Sequence, residues 1–115
     1  MALVLFQAGC TQISCDGFPT ALEARQFNVA DFSPTKISRS DSALFDPQIQ
    51  KCAALTDQRF YPGNLSLVGV DRRHGNQFAL YRLNSTTDLY FAFLLVRADN
   101  QVKVKSAYPV YAGMF

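Results

Sequence analysis

The chain has 115 residues, 49% of them hydrophobic and only 17% charged, with a net charge of +2. This length supports one domain (residues 1–115) with a modest core, and the composition excludes an intrinsically disordered chain. Nucleic-acid binders usually carry a stronger basic excess, so charge alone neither requires nor excludes RNA or DNA. Ten Phe and five Tyr in so short a chain make a Phe-rich core one expectation and rings in an interface another.

Residues 2–7 (ALVLFQ) read as a strand that Gly9 ends, and residues 11–15 as a second short strand before the Asp16-Gly17 turn signal. The first ten residues lack a basic n-region, and their apolar run stops at Phe6, short of a secretory h-region. No stretch reaches the ~20 apolar residues of a membrane helix. The expectation is a cytoplasmic protein with no membrane partner.

Thr20 and Glu23 stand at capping-box spacing, which predicts a short helix to about residue 25. Residues 26–32 (QFNVADF) either extend it or form a strand, since Phe27 and Val29 alternate with polar neighbours. Residues 33–42 (SPTKISRSDS) read as a surface loop. Asp46-Pro47 predicts a helix start, with Asp capping exposed amides and Pro at the first helical position, where it has no amide to lose. Ile49, Cys52 and Ala53 at i, i+3 and i+4 give that helix one apolar stripe, ending near residue 55 or 56.

From residue 65 onward the pattern is β: strands at 65–70, 77–83, 89–96 and 102–108, with short links that make consecutive strands antiparallel neighbours. The run LYFAFLLV at 89–96 is apolar on both alternating sets, Leu89, Phe91, Phe93 and Leu95 on one and Tyr90, Ala92, Leu94 and Val96 on the other. Such a strand must be covered on both faces. The next strand alternates Val102 and Val104 with Lys103 and Lys105, so it has one wet face. Asp99-Asn100 suits the tight turn between them. The fold class is therefore α+β: a C-terminal four-stranded antiparallel β-meander plus N-terminal strand(s), with one or two short helices covering one face. N-terminal strands or a second copy of the chain would cover the other.

The three cysteines admit a Cys10–Cys15 loop disulfide with Cys52 left over, but reduced thiols are the expected state of an intracellular protein. The C-x4-C spacing with one distant Cys and one His matches no zinc pattern, so no metal or cofactor is expected. The nine acids are scattered, and there is no G-x-S-x-G elbow, phosphate-binding loop or dinucleotide fingerprint.

Candidate binding residues are therefore basic and aromatic. Arg72, Arg73 and His74 fall on a hairpin turn, where Arg forks and a titrating imidazole suit a phosphate; solvated charges on a turn are the competing account. Lys103 and Lys105 share one face of the last strand, and Arg82, Arg97, Tyr81 and Tyr108 are expected nearby. Such a strip suits single-stranded nucleic acid, although lysines also protect an edge strand from pairing with other chains.

Residues 87–111, TDLYFAFLLVRADNQVKVKSAYPVY, resemble the end of the nidoviral endoribonuclease family, in which an apolar strand, a polar turn and a strand closing on Ser/Thr-x-Tyr-Pro complete the active site. Some bacterial ribonuclease toxins end similarly. The resemblance implies that Ser106 and Tyr108 touch the substrate nucleotide. That family uses two histidines and a lysine, whereas this chain has one histidine, His74. The leading expectation is a non-enzymatic, self-associating protein-interaction module, such as a viral or phage assembly or accessory subunit. The alternative is a metal-independent ribonuclease or RNA-binding domain using Arg72, Arg73, His74, Lys103, Lys105, Ser106 and Tyr108.

Overall fold

The computed structural model describes residues 13–86 and 89–111. In chain order its elements are β1 (Phe27–Asn28), α1 (Arg39–Ser42), α2 (Asp46–Cys52), β2 (Leu65–Arg73), β3 (Asn76–Leu83), β4 (Leu89–Ala98) and β5 (Gln101–Tyr111). Short 3-10 turns lie at Val29–Asp31, Ala53–Leu55 and Gln58–Phe60. The sheet runs β1-β5-β4-β3-β2. Strands β2 to β5 form the expected antiparallel meander, and β1 joins in parallel through Phe27 opposite Val110.

Both hairpins anchored in the sequence are present, but Arg72 and Arg73, expected in the link, belong to β2. His74 and Gly75 have φ of 51° and 81°, and they connect Arg73 to its partner Asn76. Two left-handed residues in succession give the turn whose twist matches the strands. At the other turn Asp99 has φ 57°, between the paired residues Ala98 and Gln101.

The two-sided apolar pattern of β4 separates two cores. Phe91, Phe93 and Leu95 enter the larger, with Ile49, Cys52, Phe60, Tyr81 and Val104. There α2 presents its predicted stripe, and Ile49, Cys52 and Ala53 are fully buried. Tyr90, Ala92 and Leu94 face the smaller core, with Phe78, Leu80 and Val110. Its cover is the chain itself. Residues 27–35 cross this face as a strap, contributing Phe27, Val29 and Phe32. The strap is tied to β2 by the two backbone hydrogen bonds of the Thr35–Val70 pair, both 2.9 Å, and by Ser33 N–H donating to Asp71 Oδ2 at 2.9 Å.

Several local expectations are corrected. No helix forms at residues 20–25. Glu23 instead donates its amide to Ala107 O at 2.8 Å, holding the segment along β5, because capping residues without an apolar stripe do not make a stable helix. The loop at 33–42 contains the single turn α1, capped by Ser38 Oγ accepting from Asp41 N–H. Helix α2 starts one residue earlier than predicted: Phe45 is the cap residue and makes no side-chain cap bond. The Asp46 carboxylate is occupied elsewhere, accepting from Tyr81 Oη at 2.5 Å and from Gln50 Nε2 at 3.3 Å.

The reduced-thiol expectation is also overturned. Cys15 and Cys52 form a disulfide across 37 residues of sequence, tying the segment before β1 to the buried face of α2. The predicted strand at 2–7, most of that at 11–15, and Cys10 lie outside the described residues; residues 13–15 are not in a strand. No helix among the described residues is long and apolar enough to cross a membrane.

Candidate functional site

On the strap side of the sheet lies a cleft of about 220 Å³ lined by Arg25, Phe27, Arg73, His74, Asn76, Phe78, Leu94 and Tyr108. Strand register explains its floor. Phe78 pairs with Leu94 on the smaller-core face, and Tyr108 follows one row further, opposite Ala92. Strand β1 supplies Phe27, whose ring meets Tyr108 at 5.0 Å and Phe78 at 5.7 Å between centroids. Phe32 packs edge-on against both Phe27 and Phe78.

The rim is cationic. The Arg73 guanidinium lies 5.0 Å from the Phe32 ring centre and 5.7 Å from that of Phe27, and Arg25 approaches Phe27 at 5.0 Å. A guanidinium held against rings keeps its in-plane N–H groups free to donate. Arg73 Nη1 is buried, and no acceptor among the described residues reaches it. His74 is exposed on the turn beside it. No lining residue is acidic. The nearby Asp71 is engaged by the Ser33 amide.

The structure divides the residues singled out in the sequence. Arg73, His74 and Tyr108 come together in the cleft. Arg72 lies in the row of Gln77 and Leu95, on the larger-core face, with Arg97 near it. Lys103 pairs with Val96, which puts it on the cleft's face but beyond the lining. Lys105 is exposed at the irregularity where β4 and β5 change register. Ser106 is half-buried opposite Leu94, on the same face and again outside the lining. Arg82, opposite Tyr90, occupies the far end of that face. Tyr81 belongs to no strip: it is fully buried, and burial together with its bond to Asp46 pushes its phenol far above the usual range.

Sequence reasoning missed Arg25 and Phe27. Their only local signal is the alternation of Phe27 and Val29 with polar neighbours, which marked a strand but not its partner. Among the described residues no group of three or more His, Cys, Asp and Glu side chains converges. No family model, curated protein or solved structure matches this chain.

Proposed function

We propose that this protein binds single-stranded RNA through the cleft and the face around it. The observation that carries the reading is the pairing of two guanidinium groups with a floor of aromatic rings and no carboxylate in the lining. Guanidinium forks suit phosphate oxygens, and rings suit unstacked bases. Lys103, on the same face beyond the hairpin row, extends the positive surface. Self-association was expected from the high aromatic content, the low charge, the lack of a coherent catalytic set and the doubly apolar β4. The strap and α2 cover β4 from within the chain, which removes the last of these grounds and favours the RNA-binding reading.

A ribonuclease is the second reading, favoured by the presence of His74 and Tyr108 in one cleft. The family resemblance implies two catalytic histidines and this chain has one, so binding stands as the primary function. The Cys15–Cys52 disulfide favours an oxidising compartment over the cytoplasm.

The test is fluorescence anisotropy of a labelled single-stranded oligoribonucleotide across a salt series with chelator present. Contacts from Arg25, Arg73 and Lys103 predict a log–log slope of about −2 against salt. Arg25→Gln and Arg73→Gln should each weaken binding, whereas Arg72→Gln on the opposite face should not. Equal effects of all three, or no salt dependence, would refute the proposal. Cleavage of the probe, lost in His74→Ala and Tyr108→Phe, would establish the second reading.

A further inference from the structure

Resting on the RNA-binding reading, we infer that the cleft is a single-nucleotide subsite in which Arg73 anchors the phosphate and Arg25 supplies a second fork. Two observations converge on Arg73. Its guanidinium is held against Phe27 and Phe32, so it is oriented before any ligand arrives. Its Nη1 is buried with no acceptor among the described residues, while the residue as a whole is only half-buried. A phosphate oxygen that meets the rest of the fork from the cleft receives a charge-assisted bond.

Space sets the size of the ligand. At about 220 Å³ the cleft falls below the roughly 300–1,000 Å³ of pockets that engulf a drug-sized ligand. It takes one base with its phosphate, and the rest of a strand lies outside. The rings of Phe27 and Tyr108, 5.0 Å apart and tilted by 60°, belong to one aromatic cluster and do not form a parallel slot. The base therefore lies against that cluster's surface. Asn76, also in the lining, offers an amide to a base edge. Inorganic phosphate alone engages only the guanidinium side, and a nucleoside only the rings.

The experiment is isothermal titration of the full chain with uridine, uridine 3′-monophosphate, uridine 5′-monophosphate and inorganic phosphate, alongside the oligoribonucleotide. At least one monophosphate should bind roughly tenfold or more tighter than uridine and than phosphate. Arg73→Lys keeps the charge but loses the fork. It should cut the monophosphate preference over uridine several-fold, whereas a merely structural role for Arg73 would weaken uridine and the monophosphates alike. Arg25→Gln, at an exposed position, should reduce the preference without affecting the fold. If the monophosphates bind no better than uridine, or Arg73→Lys matches the parent, the subsite is refuted while RNA binding through the face stands. If the oligoribonucleotide does not bind but a monophosphate does with the stated preference, the RNA-binding reading falls and the subsite is that of a free-nucleotide protein. Equal binding of inorganic phosphate and monophosphates would also overturn the inference, leaving a simple anion site.

Discussion

Tyr81 shows how one side chain can hold two layers together. Its ring is packed at 5.4 Å from Phe93, edge to face, while its hydroxyl reaches the Asp46 carboxylate at the start of α2. Tyr81→Phe keeps the packing and deletes the donor, so it should cost about 2 kcal/mol in denaturant unfolding, a typical figure for a hydrogen bond to a charged group. The pH dependence has a definite sign. The folded phenol is held protonated, since its pKa is raised, first by burial and then by Asp46. Its contribution is full below the unfolded value near pH 10 and is lost as pH rises above it, by about 1.4 kcal/mol per pH unit. Unfolding monitored from pH 8 to 11 should show this decline, shallower in Tyr81→Phe. Gly69 is a second singular position. A Cβ there would lie 2.6 Å from Thr35 O and 3.1 Å from Pro34 Cβ, so Gly69→Ala must push the strap off β2. A loss of about 1–3 kcal/mol, the usual range for overpacking, should accompany weaker RNA binding, because the strap carries Phe27 and Phe32.

Among the elements, the meander was the part most open to sequence reading, because a period of two survives in any context. Each face of β4 was assigned correctly by alternation alone; the hairpin at 98–101 followed from residues that tolerate left-handed angles, and the one at 71–76 from the shortness of its link. The start of α2 was found within a residue for a similar reason, since Pro47 is a local signal; its end, expected near residue 55 or 56, falls at Cys52, where a 3-10 turn takes over. The failures are long-range. The Thr20–Glu23 spacing satisfies a capping rule, but the Glu23 amide is captured by β5, 84 positions further on. The pairing of Cys15 with Cys52 depends on where α2 docks, which no cysteine spacing encodes. Half of the cleft was legible for the same physical reason: Arg73 ends β2 and His74 begins the local turn that follows, whereas Phe27 arrives on β1, whose partner is β5, and Arg25 just before it. The disulfide supports its own prediction. Closing a loop across 37 residues restricts the unfolded chain by about 4 kcal/mol in the chain-entropy account. Cys15→Ser/Cys52→Ala should lower the denaturation midpoint accordingly, and reductant should bring the parent protein to the same midpoint.

For the molecule as a whole, the sheet is a partition with unequal covers. The larger core is roofed by α2, the turns that follow it and a disulfide-tied segment. The smaller is closed by the strap through four hydrogen bonds to β2, supplemented by a two-residue strand on β5. Cooperative units with few bonds open at lower free energy than the sheet's centre. Hydrogen exchange should therefore find the Ser33 and Thr35 amides, both bonded across to β2, exchanging faster than those of β3 and β4. RNA should slow them selectively. Equal protection of strap and central strands without ligand would contradict this ranking.

The strap has one more consequence. When it lifts, Phe78, Leu80 and Ala92 lose their cover at the same moment that Phe27 leaves Arg73. The excursion that dismantles the cleft therefore also exposes an apolar sheet face. On the proposed reading, an occupied cleft should accordingly act as a guard against aggregation, with ligand concentration governing the protein's shelf life.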